Sequence, residues 1–333
     1  MRYAAFAFTL CAARQLASQG PGTYQITRRF ALGGSGGWDY IVPDEPRHRM
    51  FIGRADRVMV VDESNGTLLG AVTGIHGAHG AAIAERTGHG FATSGDDSSV
   101  VMFDLTSFKT LGKIHAAEDA DAIIYDAPSN RVFTFNGDAH SSTVIDPVAG
   151  ALVTNIDLGG KPEYGVSAGD GKVYANLTDV GEVVEIDAHT LRVSGRWRTA
   201  PCKNPVAMAI DVKRHRLFSG CRSGVMAMSD YRARKVVATV PIGSGVDGAG
   251  FDPATGNAFA SNADGTLTVI HQDSPSRYHV VQTLTTMPLS RNMAVDIRLH
   301  TIFLAAAKFE PAASGQRPKM VPGSFEILVL ERR

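Results

Sequence analysis

The chain has 333 residues, with 33 basic and 33 acidic side chains and therefore no net formal charge. This balance excludes a uniformly basic surface of the kind that binds nucleic acid. The charges are unevenly placed, because residues 96–187 hold 16 acidic and 5 basic side chains, whereas residues 192–235 hold 11 basic and 2 acidic ones. One sector is thus expected to be acidic and the next basic, either as a solvated dipole or as a surface for an anionic partner.

The N-terminus is similar to a secretory signal peptide. Met1 and Arg2 precede an apolar stretch over residues 3–13, which is too short to span a bilayer. We expect residues 1–20 to be a signal peptide and residues 21–333 to form one domain. The protein is expected to be periplasmic or secreted, without a transmembrane anchor.

An apolar run that ends in a polar residue, usually aspartate, recurs about every 42 residues. These runs end at Asp62, Asp104, Asp146, Asp187, Asp230, His271 and Glu331. The intervals are 42, 42, 41, 43, 41 and 60 residues, so seven units fill the chain and the last carries an insertion. Such a period, built from short alternating runs, is typical of a β-propeller with four strands per blade. The sequence predicts an all-β, seven-bladed propeller.

The two ends of the chain complement each other. The last unit, which ends near Leu330, contains only three predicted strands, and residues 24–32 form an isolated alternating run followed by glycines. We expect this N-terminal run to be the fourth strand of blade seven and to close the ring. Closure removes the exposed strand edges that otherwise template aggregation.

Several of these strands resemble the motifs of the YVTN β-propeller repeat proteins. The Val-Tyr-Val-Thr-Asn strand of that family is similar to residues 132–136, 173–176 and 258–262. The second strand motif of the family is similar to residues 143–146 and 183–187. Its glycine-proline linker is similar to residues 156–162. Blades one, five and seven depart from the pattern, with Gly53, Gly220 and Ala306 in place of the asparagine. The resemblance covers residues 24–333 and implies the fold, but its motif positions are core and turn residues without chemistry.

One residue per blade is expected at the start of the inner strand, facing the mouth of the central channel. Alignment of the blades gives Asp39, His79, Asp121, Val206, Asp247 and Arg291. Blade four, which is shorter, offers Pro162, or Glu163 after a one-residue shift. Further candidates in the same loops are Trp38, His76, Tyr164 and Asn204.

Two interpretations of this ring remain open. Carboxylates that converge with an imidazole suit a divalent cation such as calcium, with Asp39, His79, Asp121 and Asp247 as ligands, and such a site can also activate water or abstract a proton. Alternatively, the channel is wet and its polar rim only keeps backbone groups solvated. No residue is identified as catalytic, because the candidates come from different blades and form no spacing motif.

Four local features have two interpretations each. His76 and His79 are either a metal-ligand pair or part of a glycine-rich turn. The glycines of residues 33–37 favour a linker over a phosphate loop, because no helix or Walker lysine follows. Trp38 either stacks on a ligand ring or packs at the rim. The insertion, residues 308–324, joins strands two and three of blade seven and is expected on the same face as the ring of candidate residues. It is either a partial lid or surface decoration.

Cys202 and Cys221 are expected at the same end of blade five. In an exported protein such a pair favours a disulfide, and two buried thiols are the alternative.

The sequence therefore predicts an exported, monomeric propeller that binds a small molecule, cation, glycan or protein at its channel mouth. The first alternative is a metal-dependent enzyme that uses the same ring, as a lactonase-like hydrolase or a polysaccharide lyase. The second alternative is a single-stranded nucleic-acid binder that uses residues 192–235. That segment contains few aromatic residues, so nucleic acid is a disfavoured partner.

Overall fold

The computed structural model describes residues 22–333 apart from 312–315 and 317, so the predicted signal peptide lies outside the described residues. The described chain forms seven four-stranded antiparallel sheets. Each inner strand packs against the inner strands of its two neighbours, and the seventh packs against the first. This closed ring of seven blades is the predicted fold.

The strands follow one another in chain order, from the inner to the outer edge of each blade. Strand β1 (Tyr24–Ala31) belongs to blade seven. Blade one contains β2 (Ile41–Asp44), β3 (Arg49–Arg54), β4 (Arg57–Asp62) and β5 (Leu68–Val72). Blade two contains β6 (Ala78–Ala84), β7 (His89–Ser94), β8 (Ser99–Asp104) and β9 (Thr110–His115). Blade three contains β10 (Ala120–Asp126), β11 (Arg131–Asn136), β12 (Ser141–Asp146) and β13 (Ala151–Asp157).

The remaining blades repeat this order. Blade four contains β14 (Pro162–Ser167), β15 (Lys172–Leu177), β16 (Glu182–Asp187) and β17 (Arg192–Arg198). Blade five contains β18 (Pro205–Asp211), β19 (Arg216–Cys221), β20 (Val225–Asp230) and β21 (Lys235–Pro241). Blade six contains β22 (Val246–Asp252), β23 (Asn257–Asn262), β24 (Thr266–Ser274) and β25 (Arg277–Thr285). Blade seven contains β26 (Met293–Asp296), β27 (Thr301–Ala306), β28 (Glu326–Arg332) and β1. Short 3₁₀ turns occupy Glu45–Arg47, Glu85–Thr87 and Gly95–Asp97.

The repeated aspartate has a structural role in the outer hairpins of blades one to five. In blade three, Asp146 Oδ1 accepts the backbone N–H groups of Val148 at 2.8 Å and Ala149 at 3.0 Å. Asp62 makes the same contacts to Ser64 and Asn65 in blade one. This side chain fixes the turn between the third and fourth strands, which explains the period without implying chemistry.

The ring closes through β1, as predicted. Strand β1 pairs antiparallel with β28, from Tyr24 opposite Arg332 to Ala31 opposite Glu326. The strand ends at Ala31, one residue earlier than expected. Because the N- and C-terminal strands share blade seven, the closure joins the two ends of the chain.

The hydrophobic cores lie between neighbouring blades rather than on the axis. Phe51 of blade one, for example, packs 5.7 Å from Phe103 of blade two, measured between ring centroids. The axis is left to the inner strands, which carry small residues in several blades. This arrangement leaves a channel whose mouth is lined by the loops that precede those strands.

Cys202 and Cys221 form the predicted disulfide. The bond joins the loop before β18 to the last residue of β19, with Cα atoms 5.7 Å apart. Both cysteines are buried. Among the described residues, no helix is long and apolar enough to cross a membrane.

Candidate functional site

His79 lies between two aspartates at the channel mouth. Its Nδ1 atom is 2.8 Å from Asp39 Oδ2 and 3.2 Å from Asp121 Oδ1, so blades one, two and three meet at this imidazole. The nitrogen has a single proton, and the shorter distance directs it to Asp39. Asp121 Oδ1 is buried and has no hydrogen-bond donor among the described residues. The site therefore contains a buried carboxylate oxygen that lacks a partner.

The charges of these residues shift one another's pKa values. Burial lowers the pKa of His79, but the hydrogen bond to Asp39 and the charges of Asp121 and Asp39 outweigh it and raise this pKa to about 9. Burial and the neighbouring Asp39 charge raise the pKa of Asp121 well above its usual range. His79 is thus an imidazolium at neutral pH, and its positive charge faces both acidic groups.

Asp247 and Asn292 complete the other side of the ring. The Asn292 amide donates to Asp39 Oδ1 at 3.1 Å and to Asp247 Oδ2 at 3.4 Å, which links blades one, six and seven. Arg291 Nε lies 3.1 Å from Asp247 Oδ2. Burial raises the pKa of Asp247, and the Arg291 charge opposes that shift. Asn292 is buried and positions both carboxylates.

Glu163 occupies the blade-four position, as the one-residue shift predicted. Arg222 Nη2 lies 3.4 Å from Glu163 Oε1 and 3.9 Å from Asp247 Oδ1, so Arg222 connects these two carboxyl groups. Burial and the Asp247 charge raise the pKa of Glu163. Pro162 instead begins β14 and is buried.

Two tyrosines lie below the ring. The rings of Tyr40 and Tyr164 are 5.0 Å apart and, with Asp247 and Asn292, line a cavity of about 20 Å³. Burial raises the pKa of both phenols, with the nearby carboxylates adding to the shift of Tyr40. Both phenols are therefore neutral, and Tyr164 also lines a neighbouring cavity with apolar residues such as Val166 and Met208.

The described part of the insertion lies beside the ring, on the predicted face. Together with Trp38, its residues Phe309, Pro318 and Met320 line a pocket of about 550 Å³. Arg291 and Asn292 line the same pocket, so it opens next to the ring. Trp38 packs against Phe309 and Phe325, with ring centroids 5.9 and 5.3 Å away. Trp38 thus packs at the rim and also lines the pocket.

The glycine-rich segment is a linker, as predicted, and it surrounds a buried arginine. Arg54 donates to the carbonyl oxygens of Gly37 at 3.0 Å and Ser35 at 3.0 Å, and also reaches those of Gly33 and Gly36. Nothing in the sequence pattern indicates this role. By folding the linker, Arg54 positions Trp38 and Asp39, which follow it directly.

Three predicted positions do not join the ring. Val206 is buried in the core of blades five and six. The Asn204 side chain donates to the Thr178 carbonyl at 3.1 Å and supports a loop instead. His76 is exposed, and its backbone bonds to the Ser94 hydroxyl. The hypothesis of a His76–His79 metal pair thus gains no support from these contacts.

Four residues that shape the site were not predicted from the sequence: Tyr40, Arg54, Arg222 and Asn292. Tyr40 and Asn292 adjoin predicted positions, so a wider window around each alignment position identifies them. Arg54 and Arg222 reach the site from second strands and their turns, where the sequence pattern carries no signal.

The basic segment offers little for stacking nucleotide bases. Trp197, Phe218 and Tyr231 are all buried. Several of its cations are paired, for example Arg216 with Asp230 at 2.8 Å and Arg234 with Glu185 at 3.1 Å. Base stacking requires exposed aromatic rings. These contacts disfavour the nucleic-acid alternative.

Comparisons with known proteins identify the fold and no more. The sequence matches no known protein family and no curated protein. The structure resembles the hydrazine synthase of Kuenenia stuttgartiensis with a TM-score of 0.52 and 16% sequence identity. The alignment covers 71% of this chain and 96% of that chain. At this identity the likeness carries the β-propeller architecture alone.

Proposed function

We propose that this protein is an exported, YVTN-type propeller that binds a divalent metal cation at its channel mouth. The observation that carries the proposal is the convergence of Asp39, His79 and Asp121 from three blades. One ligand atom from each residue lies within 4.8 Å of the other two. No other group of three or more such residues is found within the described part of the chain.

The electrostatics of the ring also favour a cation. Burial raises the pKa values of Asp121, Asp247 and Glu163, because a partly dry mouth disfavours their charged forms. A bound cation would offset the negative charge of these carboxyl groups and would supply a partner for Asp121 Oδ1. It competes with the proton on His79 Nδ1, so its affinity is expected to rise with pH.

The donor atoms indicate the kind of cation. One imidazole nitrogen and two carboxylate oxygens suit zinc or manganese, whereas calcium prefers six to eight oxygen ligands. Three protein ligands leave at least one coordination position open to water or to a ligand. We therefore favour zinc or manganese over the calcium that the sequence suggested.

The Cys202–Cys221 disulfide supports the exported location. Disulfides form and persist in oxidising compartments, such as the periplasm or the extracellular space. The apolar N-terminal stretch is consistent with the same route.

Calorimetric titration of chelator-treated protein with zinc chloride tests the proposal. We expect one zinc ion per chain, with weaker binding of calcium and loss of zinc binding in Asp121→Asn. The matched control is Asp138→Asn, since Asp138 is exposed and pairs with Lys161 outside the triad. Zinc binding that is absent from the parent, or that Asp121→Asn retains, would refute the cation site.

A further inference from the structure

The pocket beside Trp38 adjoins the proposed cation site, and we infer that it binds an amphipathic carboxylate. The hydrocarbon part would lie against Trp38 and against Phe309, Pro318 and Met320 of the insertion, and the carboxylate would reach the cation and Arg291. This inference rests on the proposed function, because it assigns the ligand class of the same channel mouth.

One side of the pocket is built for hydrocarbon. Trp38, Leu289, Phe309, Pro318 and Met320 supply an apolar lining around a volume of about 550 Å³. This volume falls within the usual range for sites that enclose a small molecule. An aromatic or alkyl group placed there would gain contact with the indole and with the flexible thioether.

The described part of the insertion is fixed at its base. Phe309 pairs with Met320 as a β-bridge, and Glu310 N donates to the Lys319 carbonyl at 2.9 Å. Gly323 N donates to the Gly34 carbonyl at 3.1 Å, which anchors the insertion to the linker before Trp38. Both apolar walls are therefore held in place without a ligand, which reduces the entropic cost of binding.

The polar side of the pocket is shared with the ring. Asn292 lines the pocket and donates to Asp39 and Asp247, so this one side chain lies between the pocket and the Asp39 ligand of the proposed cation site. Arg291 also lines the pocket and contacts Asp247 through Nε, with about half of its side chain exposed. A half-exposed guanidinium in the pocket wall is suited to a carboxylate.

Charge selects the anion over a cationic ligand once metal is bound. Four carboxylates (Asp39, Asp121, Glu163 and Asp247) surround the mouth with two guanidiniums, those of Arg222 and Arg291. A divalent cation held by the triad would add two positive charges beside these acidic groups. The loaded mouth would therefore favour a carboxylate over an amine more strongly than the metal-free mouth does.

The experiment uses 4-phenylbutyrate as the probe and 4-phenylbutylamine as its cationic counterpart. Each is titrated calorimetrically into dialysed, zinc-loaded protein and into metal-free protein. We expect the carboxylate to bind the loaded protein at least about tenfold more tightly than the metal-free protein, and more tightly than the amine. Preference for the amine, or equal carboxylate binding with and without zinc, overturns the inference.

Variants separate the pocket from the cation site. Trp38→Ala and Arg291→Ala should each weaken 4-phenylbutyrate binding by about tenfold while zinc affinity and melting temperature stay close to the parent values. Arg277→Ala is the matched control, because Arg277 is exposed on the outer hairpin of blade six. Zinc binding without probe binding overturns this inference alone, whereas loss of zinc binding overturns the proposed function as well. If Trp38→Ala unfolds, Met320→Ala tests the same wall.

Discussion

The Arg54 guanidinium lies 3.8 Å from the centroid of the Phe325 ring, buried between blade one and the closing blade. Phe325 directly precedes β28, and Arg54 ends β3. The same guanidinium donates to carbonyl oxygens of residues 33–37. One buried cation therefore joins ring closure to the linker that positions Trp38 and Asp39.

Arg54→Met should lower the free energy of unfolding by about 3 kcal/mol, because several linker carbonyl groups lose their donor and the buried Phe325 ring loses its contact with the guanidinium. Urea denaturation measures this change. Arg57→Met is the matched control, since Arg57 pairs with the exposed Asp56 and should cost less than about 1 kcal/mol. Equal destabilisation by the two variants would show that the carbonyl contacts of Arg54 contribute little.

Deletion of residues 1–32 should destabilise the entire ring, because it removes β1 and leaves β28 with an open edge. A deletion of residues 1–21 retains β1 and serves as the comparison. Thermal unfolding followed by circular dichroism should show a large decrease in melting temperature for the longer deletion only. Melting of the longer deletion like the parent would contradict the closure.

The fold could be predicted because its determinants are local and repeated. In blades one to five the aspartate of the outer hairpin fixes its own turn, as Asp146 does, so the period is visible in the sequence. The last unit contains only three predicted strands, so counting strands predicted that the N-terminal run would be the fourth strand of blade seven. Blade closure and the Cys202–Cys221 bond could be predicted for the same reason, since both depend on the order of strands.

The site was only partly predictable, because its contacts join different blades. Alignment placed Asp39, His79, Asp121 and Asp247 at equivalent positions, and the structure brings them together around the channel mouth. It could not show that Asn292 links two carboxylates, because that contact spans 253 residues to Asp39. Nor could periodicity identify Arg54, whose partners lie in an irregular linker.

Replacement of Cys202 and Cys221 by serine should lower the free energy of unfolding by about 3 kcal/mol, as expected for a bond that closes a loop of this length. The bond spans 19 residues. Alkylation followed by mass spectrometry should modify both cysteines only after reduction. Modification of native, unreduced protein at either position would contradict the disulfide.

Glu63 should make stability depend on pH. Glu63 is buried beside Asp296 of blade seven, and Arg298 Nη2 lies 3.7 Å from Glu63 Oε2. Burial and the charge of Asp296 raise the pKa of Glu63 from 4.5 to about 8. The folded state thus holds a proton that the unfolded state releases above pH 4.5, so the contribution of Glu63 to stability falls as pH rises to about 8.

Glu63→Gln should remove this part of the pH dependence and raise the free energy of unfolding at pH 7 by on the order of 2 kcal/mol. Urea denaturation at intervals from pH 5 to about pH 9 measures it. Glu331→Gln is the control, because Glu331 forms an exposed pair with Arg28. An unchanged slope in Glu63→Gln would show that Glu63 is ionised in the folded protein.

The double variant Asp121→Asn with Asp247→Asn separates function from stability at the ring. Both carboxyl groups have raised pKa values, so each costs stability as pH rises above its unfolded pKa, and asparagine removes that cost. We expect unfolding free energy at pH 7 to stay within about 1 kcal/mol of the parent or to increase, because like-charge repulsion is relieved. Zinc binding should be lost in the same protein. Asp119→Asn is the control, since Asp119 pairs with Lys161 in the adjoining loop. A double variant that is destabilised yet still binds zinc would mean that these carboxylates support the channel wall and do not bind the cation.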